Sequence, residues 1–526
     1  MMQQRIFVYG LILALLASLG GCVAAPDTVG QTAYWPGDLW RTSTPEEQGL
    51  DSSLIQALLQ EIQTKHLNIH SLLIIRHGYL VTEVYFPPYQ PDMRHPVFST
   101  TKSVTSALVG KALQEGYIKS LQQKILDFFP DIARDVTDQK LKDITLEHLL
   151  TMSAGYNTNT LPNLVGKDAS FDTIRQILTY DSVLLPPGTS FFYDPGLPHL
   201  LSAVVQKSTG MTLQAYAEQK LFGPLGITDF TWDSDPQGIT NGSTGLTLRP
   251  RDLAKLGYLF LHQGEWNGTQ VLPKDWVATS TAKHIETKDL MNAAEDDGYG
   301  YLWWIDAFGG YSAHGFGGQY TFVIPPLDMV IVFTGGLPDS QFPVPNQLVK
   351  AYLLPAAKMT VPLTPNAQAV QALKDRIQSI EQGASAFLPL PKMAQAISGK
   401  TFQIMPSADS ASGFQTVALT FSGGETYQSV TRWPGGQIIN VNGSLKHVFQ
   451  LNQVQFVGPQ WRQDLLVAVR GYWQDEGTFV EEYVQNLKTD IDLITQKYAF
   501  SGDKVIIDVK SSMGLFTIQV VGKLVQ

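Results

Sequence analysis

The sequence predicts an α+β fold followed by a second, all-β domain. In the first part of the chain, segments with helical periodicity, such as residues 52–63 and 252–263, alternate with short strand-like runs, such as residues 72–76 and 329–334. Beyond Ser398 the pattern changes to β-branched and aromatic runs that are separated by turns. A β-sandwich or a β-barrel is therefore expected for the last part of the chain.

Composition excludes several classes of protein. The chain has 526 residues, which is long for one ordinary domain, and 44% of them are hydrophobic, which is enough to build sizeable cores. Its 37 Lys and Arg against 47 Asp and Glu give a net charge of -10, the wrong sign for gripping nucleic acid. The 45 Gly and 30 Pro follow no short period. These numbers exclude a disordered or fibrous protein and argue against a nucleic-acid partner.

The amino end carries a processing signal. Arg5 precedes an apolar run over residues 6–19. Because this run is shorter than the roughly 20 residues that cross a bilayer, it predicts an export signal over residues 1–21 in preference to a permanent transmembrane helix. The run ends in Leu-Gly-Gly-Cys, which resembles a bacterial lipobox, so Cys22 is the expected lipid attachment site; the alternative is a plain secretory signal. We therefore expect an exported, membrane-anchored lipoprotein that faces the periplasm or the cell exterior.

The remaining chain is expected to form a tether, two folding units and a linker. Residues 22–40 are the predicted tether, residues 41–359 the α+β unit, residues 360–397 the linker and residues 398–526 the β-rich unit. Cys22 is the only cysteine, so neither unit can contain an intrachain disulfide. The linker is predicted to contain a helix over residues 366–382, whose apolar side chains share one face: Val370, Leu373, Ile377 and Ile380.

The clearest chemical signal is Ser-Thr-Thr-Lys at Ser99 to Lys102. A serine and a lysine three apart on a helix share a face, so the amine can act as proton acceptor or electrostatic partner of the hydroxyl. The same spacing begins at Ser280 and at Ser501, so spacing alone does not identify a nucleophile. Ser99 opens an almost uncharged helix, where its own N–H can face an oxyanion and burial lowers the lysine pKa. Ser280 lies among polar residues and Ser501 in a predicted turn, which favours Ser99.

Further stretches resemble the serine β-lactamases of class C and the related D-Ala-D-Ala peptidases, esterases and amidases. They follow the order of that family over most of the α+β unit: residues 144–155, 186–193, 222–227, 245–254 and 298–304. The resemblance implies a β-lactamase/transpeptidase-like fold, with an antiparallel sheet flanked by helices plus a helical subdomain. It also implies cleavage of an amide or ester bond through an acyl-enzyme on Ser99.

The resemblance assigns Tyr193 to the tyrosine of the family's Tyr-x-Asn motif. There a phenolate near the Ser-Lys pair would relay a proton from the nucleophile to the leaving group. Asp194, Pro195 and Gly196 depart from the motif, so the amide side chain that would contact a β-lactam or a peptide is absent. This argues against classical β-lactamase activity, and the Tyr-x-x-Gly form is nearer to the branch of 6-aminohexanoate-dimer hydrolase and carboxylesterases.

A stretch that begins at Ala313 resembles the third motif of the family, Lys-Thr-Gly or a His or Trp variant, on a strand that lines the cleft. In the preferred register Ala313 takes the lysine place, which removes the cationic anchor, and the N–H of Phe316 completes an oxyanion hole. In the alternative register His314 takes the lysine place and Gly317 supplies the N–H. The expected oxyanion or substrate-binding residues are therefore His314, Gly315, Phe316 and Gly317.

Other chemistries find no support in the sequence. It contains no His-Glu-x-x-His, no cysteine cluster and no phosphate-cradling glycine loop, so no metal and no cofactor are expected. The expected partners are a small-molecule ester, amide or peptide substrate and a membrane that holds the lipid anchor. A different class of function stays open: a non-catalytic envelope binding protein that keeps the hydrolase fold, which the departures after Tyr193 and at Ala313 motivate.

Overall fold

The computed structural model describes most of the chain. The described residues are 34–37, 39–164, 166–179, 182–287, 296–357, 362–383, 389–406, 413–446, 448–457, 462–487 and 489–525. The chain divides into two units, Met1–Trp35 and Pro36–Gln526, and the elements below all belong to the second. The predicted export signal over residues 1–21 and the predicted lipid attachment site Cys22 lie outside the described residues, and the predicted domain boundaries stay predictions.

One antiparallel sheet forms the centre of the α+β part. The strands there are, in chain order, β1 (Ile69–Arg76), β2 (Tyr79–Tyr85), β3 (His95–Pro96), β4 (Thr231–Trp232), β5 (Leu246–Leu248), β6 (Glu265–Trp266), β7 (Thr269–Gln270), β8 (Asp296–Tyr299), β9 (Trp304–Asp306), β10 (Gly310–Gly315), β11 (Gln319–Ile324) and β12 (Met329–Gly335). The central sheet has the order β2-β1-β12-β11-β10-β9-β8. Every residue of β1, β10, β11 and β12 is buried, so elements cover both faces of the sheet.

Helices cover the sheet on both faces. They are α1 (Ser52–Thr64), α2 (Thr101–Gln114), α3 (Pro130–Ala133), α4 (Gln139–Asp143), α5 (Leu146–Leu150), α6 (Thr173–Thr179), α7 (Gly196–Thr209), α8 (Leu213–Ala217), α9 (Pro250–Leu261), α10 (Lys274–Ser280), α11 (Val344–Leu348), α12 (Leu354–Ala356), α13 (Ala367–Gln382) and α14 (Lys392–Ile397). α1 and α13 pack together on one face, whereas α9 packs on the other, where Gly257 brings its backbone against Val330. Within the described ranges, no helix combines the length and the apolar character that crossing a bilayer requires.

The predicted nucleophile helix is the buried α2. All residues from Thr101 to Gly110 are buried, and Lys102 is the one charged residue among them. α2 packs on α7, and an added Cβ at Gly110 would lie only 2.2 Å from the Trp276 ring of α10. This close packing fixes the position of the helix start, because a shift of α2 would break contacts on several sides at once.

A ten-stranded antiparallel barrel follows. Its strands are β13 (Thr401–Ile404), β14 (Thr416–Phe421), β15 (Thr426–Arg432), β16 (Ile438–Ser444), β17 (Gln450–Val457), β18 (Arg462–Trp473), β19 (Thr478–Val484), β20 (Ile494–Ser501), β21 (Lys504–Ser511) and β22 (Thr517–Leu524). The order is β16-β15-β14-β13-β22-β21-β20-β19-β18-β17, and a contact of β16 with β18 at Ser444 and Arg470 closes the sheet. The structure thus confirms the predicted α+β fold with an all-β domain and, of the two expected architectures, shows the barrel.

The barrel packs directly against the α+β part. Tyr89 joins three barrel residues in an apolar cluster: Ala468, Val484 and Leu487. Asn68 Nδ2 donates a hydrogen bond of 3.1 Å to Ser512 Oγ. Ile491, in the loop between β19 and β20, touches the turn that follows β10, because an added Cβ at Gly317 would lie 2.3 Å from Ile491 Cδ1.

Candidate active site

Ser99 and Lys102 are in direct contact at the start of α2. Ser99 lies in a single 3-10 turn, Phe98–Thr100, which runs without a break into α2. Lys102 Nζ donates hydrogen bonds to Ser99 Oγ at 2.7 Å and to the carbonyl oxygen of Ser243 at 3.0 Å. The lysine side chain is only 2% exposed. The helical spacing therefore brings the amine to the hydroxyl, as the sequence predicts.

Tyr193 completes a group of three polar side chains from two distant segments. Its hydroxyl lies beside the Ser99 side chain, near enough to affect the pKa of the phenol. Lys102 Nζ is 5.0 Å from the centre of the Tyr193 ring. The ring stacks on Trp304 of β9 at a centroid distance of 5.9 Å, which orients the phenol. The structure thus brings Ser99, Lys102 and Tyr193 together.

Burial controls the protonation of this group. Desolvation lowers the pKa of the Lys102 ammonium to about 7, although the nearby charge of Asp194 acts in the opposite direction. Desolvation raises the pKa of the Tyr193 phenol, while the contact with Ser99 opposes this rise. Near neutral pH, a substantial fraction of the lysine is therefore a free amine, and the tyrosine is a neutral phenol. A free amine can take a proton from Ser99, and a neutral phenol can give one to a leaving group.

The backbone before the nucleophile is strained. Phe98 has a φ of 46°, a left-handed conformation that a bulky residue adopts only when its surroundings impose it. Its ring packs edge-on against Phe316 at a centroid distance of 5.5 Å. This contact joins the segment that carries Ser99 to the turn that carries the predicted oxyanion donor. The positive φ of Phe98 therefore sets the direction of the chain at Ser99, just after strand β3.

Strand β10 passes close to the segment before the nucleophile. An added Cβ at Gly315 would lie 2.4 Å from the carbonyl oxygen of Val97, so only glycine fits there. β10 ends at Gly315, and Phe316 follows in the turn beside Phe98. Gly317, with a φ of 80°, continues that turn. The placement suits the preferred register, in which Phe316 supplies an N–H; its role in an oxyanion hole stays a prediction.

His314 is a packed residue of β10. Its ring stacks on Trp304 at 5.2 Å, and Nε2 lies 2.7 Å from Ser312 Oγ. Burial lowers the pKa of His314 well below its usual value, so the imidazole is neutral. A substrate-binding role for His314 stays a prediction. In the structure its ring stacks on Trp304, and Trp304 in turn stacks on Tyr193.

The sequence did not indicate the contacts that three residues, Ser243, Asn241 and Asp194, make around the site. Ser243 provides the second acceptor for Lys102 through its carbonyl oxygen, and Asn241 Oδ1 holds this loop by accepting the N–H of Ser243 at 2.9 Å. The Asp194 side chain, next to Tyr193 in the sequence, binds a neighbouring loop at Thr160. Its carboxylate accepts hydrogen bonds from the N–H and the hydroxyl of Thr160 and from the N–H of Gly196. The Asn-x-Ser sequence at Asn241 and the Asp-Pro-Gly turn are the local signals that could have drawn attention to both loops.

The other two Ser-x-x-Lys pairs lie elsewhere. Ser280 is buried at the end of α10, and its hydroxyl donates to the carbonyl oxygen of Val277. Ser501 and Lys504 face each other across the tight turn between β20 and β21, as the sequence predicts. Of these three pairs, the pair at Ser99 is the one in which serine and lysine are in contact at the start of a helix.

Comparison with known proteins gives the family. The Beta-lactamase family model matches residues 55–349, which is more than half of the chain. The chain belongs to the beta-lactamase family. It is 26% identical over 291 residues to a 6-aminohexanoate-dimer hydrolase from Paenarthrobacter ureafaciens, which covers 51% of this chain and 73% of that relative. This match confirms the resemblance that the sequence motifs indicate.

Two further relatives of this beta-lactamase family member are hydrolases. A lovastatin esterase from Penicillium rubens is 29% identical over 162 residues, which covers 27% of this chain and 40% of the esterase. A family VIII carboxylesterase of known structure has a TM-score of 0.50 and 16% identity, and covers 60% of this chain and 98% of the esterase. The second comparison shows a shared fold. The family model and the 6-aminohexanoate-dimer hydrolase match support a beta-lactamase-like serine hydrolase family for this chain.

The site of this family member contains no metal cluster in the part of the chain that the structure describes. No group of three or more His, Cys, Asp or Glu side chains in these residues is arranged to hold a metal ion. The polar groups around Ser99 are an amine, a phenol and backbone groups. Groups of these kinds are the ones that general acid–base and electrostatic catalysis use.

Proposed function

We propose that this chain is a serine hydrolase that cleaves an ester or amide bond through an acyl-enzyme on Ser99. The observation that carries the proposal is the 2.7 Å contact between Lys102 Nζ and Ser99 Oγ in a buried site that Tyr193 shares. Burying a lysine to 2% exposure costs free energy, and a buried amine with a strongly shifted pKa beside a hydroxyl is typical of a catalytic site.

The first half of the reaction acylates Ser99. The neutral amine of Lys102 takes the hydroxyl proton while Ser99 Oγ forms a bond to the substrate carbonyl carbon. The resulting oxyanion accepts hydrogen bonds from the N–H groups of Ser99 and Phe316. The bond to the leaving group then breaks, and the departing oxygen or nitrogen receives a proton from Tyr193, which is resupplied by Lys102.

The second half restores the serine. A water molecule gives a proton to the same amine and phenol pair while its oxygen attacks the acyl carbon. The bond between Ser99 Oγ and the acyl carbon breaks, and Oγ regains its proton. The products are a carboxylic acid and the alcohol or amine released in the first half.

A fluorophosphonate probe tests the nucleophile directly. We expect wild-type protein to be labelled and to hydrolyse a p-nitrophenyl ester, and Ser99→Ala to do neither. Ser501→Ala is the matched control, because it removes the exposed serine of another Ser-x-x-Lys pair and is expected to keep both activities. Labelling of Ser99→Ala equal to wild type would exclude the proposed nucleophile. Absence of labelling and turnover in wild type would favour the alternative, a non-catalytic envelope binding protein.

We propose esters and linear amides as substrates in preference to β-lactams. The family's amide side chain in the second motif is replaced by Pro195, and Ala313 stands where a lysine would bind a substrate carboxylate. The relatives named 6-aminohexanoate-dimer hydrolase and lovastatin esterase support this choice. We expect turnover of p-nitrophenyl butyrate and none of nitrocefin. Hydrolysis of nitrocefin at a comparable kcat/KM would contradict the choice while leaving the serine mechanism intact.

We also propose that the protein is exported and anchored through a lipid on Cys22. The apolar run over residues 6–19 and the Leu-Gly-Gly-Cys sequence support this proposal. In a bacterial host that is fed an alkyne-tagged fatty acid, we expect wild-type protein to be labelled and recovered with membranes. Cys22→Ala is expected to lose the label; an unlabelled wild-type protein would contradict the proposal.

A further inference from the structure

The interior of the barrel has a packed half and an open half. Aromatic rings fill the packed half: Phe421 and Phe479 are 5.1 Å apart, and Tyr427 and Phe479 are 4.9 Å apart. Tyr498 continues this layer, 6.2 Å from Phe479. Two of these rings, Tyr427 and Tyr498, also contact Glu481, which lines the cavity in the open half.

The open half is a cavity with apolar walls. The space open to the centres of water molecules inside it is about 90 Å³, several times the roughly 10–15 Å³ that one water requires. Alternate, inward-facing residues of neighbouring strands form its walls: Val441, Val454, Phe456, Leu465, Val467 and Val469. Phe456 and Trp433 are partly exposed at the rim, so the cavity can be reached from solvent.

A carboxyl group lies in this apolar cavity. Glu481 of β19 is 4% exposed and faces the same space. Its two oxygens accept hydrogen bonds from Tyr427 at 2.9 Å and from Tyr498 at 3.1 Å. The Tyr498 hydroxyl also contacts Gln496 Oε1, so its single hydrogen is shared between two acceptors. When ionised, a carboxylate offers about four lone-pair positions, so Glu481 can accept a further donor.

Among the described residues that line the cavity, none is a cation that could pair with Glu481. The polar groups that line it are hydroxyl and amide groups of Ser429, Thr431, Tyr483 and two glutamines, Gln485 and Gln496. Burying a carboxylate without a cation is costly, and a glutamine would fill the same space at a lower cost. A buried, perturbed acid in a cavity is the usual mark of a binding site.

We propose that the barrel cavity binds a small apolar molecule whose head group is an amine or a hydroxyl. The apolar walls take the body of the ligand, and Glu481 accepts the hydrogen of the head group. A protonated amine would also neutralise the buried carboxylate. We exclude a ligand with a carboxylate head, such as a fatty acid anion, because its charge would be buried beside Glu481 without a cation among the described lining residues to neutralise it.

Binding of 1-aminoanthracene tests the cavity, because its fluorescence rises in apolar surroundings and its amine supplies a donor. We expect saturable binding of one molecule per chain at pH 7.5. Hexylamine and hexan-1-ol should displace the probe, and hexanoate, which has the same chain and an anionic head, should be at least about tenfold weaker. Absence of saturable binding, or displacement by hexanoate as strong as by hexylamine, would overturn the proposal.

Two valine variants locate the binding. Val467→Phe fills the cavity, whereas Val521→Phe adds the same group at an exposed position of β22. We expect Val467→Phe to weaken binding at least about tenfold and Val521→Phe to bind like wild type. Equal binding by both variants would place the ligand outside the cavity and overturn the proposal. If Val467→Phe fails to fold by circular dichroism, Val454→Phe replaces it from the neighbouring strand.

Glu481→Gln tests the head group. It keeps the shape of the side chain and removes its charge. We expect hexylamine to bind at least about tenfold more weakly to Glu481→Gln than to wild type, with a smaller change for hexan-1-ol. An unchanged affinity for hexylamine would overturn the role of Glu481. These measurements need no turnover at Ser99, so their outcome is independent of the proposed hydrolase activity.

Discussion

At the scale of single residues, the amine of Lys102 decides when the site can work. Burial lowers its pKa to about 7, and only the deprotonated amine can accept the Ser99 proton. We expect kcat/KM for a p-nitrophenyl ester to rise with pH, with a midpoint near 7, and to fall about tenfold per pH unit below it. A profile that is flat between pH 5 and 8 would contradict this role.

Removal of the same amine gives the matching mutational prediction. Lys102→Met is expected to lower kcat by about 10²–10⁴-fold because the general base is lost. Lys111→Met, on the same helix, removes a lysine that pairs with Glu115 away from the site and should keep wild-type activity. Equal losses in both variants would point to damage of α2 and not to lost chemistry.

Asp194 provides a second prediction at this scale. Its charge favours the protonated form of Lys102, so removing the charge should lower the lysine pKa further. We therefore expect Asp194→Asn to shift the rising limb of the pH profile toward lower pH. Thr160→Val removes a hydroxyl that donates to Asp194 and lowers the pKa of that carboxyl, but it keeps the carboxyl itself, and should shift the limb less than Asp194→Asn does. A shift of the rising limb of Asp194→Asn to higher pH would contradict the expectation that the Asp194 charge raises the pKa of Lys102.

The contacts within one helix turn were predictable from the sequence, and those between loops were not. Ser99 and Lys102 meet because helical spacing puts them on one face. Trp304 and Ser243 reach the site only after distant segments fold together, and no spacing rule links them to Ser99. The order of the family motifs pointed to Tyr193, but the sequence did not predict that its ring would stack on Trp304.

At the scale of elements, apolar strands were predicted better than strands with polar inward residues. The predicted strand-like run over residues 329–334 matches all but the last residue of β12, and the run over residues 72–76 matches the second half of β1. In β19 and β20, Glu481 and Gln496 face inward and break the apolar alternation that identifies a strand. These two strands, neither of which the sequence patterns predicted, bring polar groups into the barrel cavity.

The approach of β10 to the nucleophile segment gives a prediction for an element. Gly315→Ala would place a Cβ 2.4 Å from the carbonyl oxygen of Val97, so strand and segment must move apart. We expect kcat to fall at least about tenfold, because small misplacements of catalytic groups are costly. Gly424→Ala, at a turn where an added Cβ meets nothing within 4 Å, is the control and should behave like wild type. Full activity of Gly315→Ala would show that this spacing is not needed.

At the scale of the whole molecule, the barrel supports the turn that carries the predicted oxyanion donor. Ile491 packs on Gly317, and its carbonyl oxygen lies close to Gly336. The O atom of Gly317 accepts the N–H of Leu337 at 2.9 Å, which links the turn to the end of β12. The loop between β19 and β20 therefore reaches from the barrel to the edge of the candidate active site.

This contact predicts that a barrel residue affects catalysis. Ile491→Ala removes the side chain that covers the Gly317 turn, and a buried Ile→Ala change costs about 2–5 kcal/mol of unfolding free energy when the site cannot collapse. Because the turn can then move, we expect a lower kcat with little change in KM. Ile506→Ala, which truncates an exposed isoleucine of β21, should change neither kcat nor stability. A turn that is free to move could not hold an oxyanion donor at hydrogen-bonding distance. If Ile491→Ala lowers stability and leaves kcat unchanged, the turn therefore keeps its position without Ile491, and the contact with the barrel contributes to stability alone.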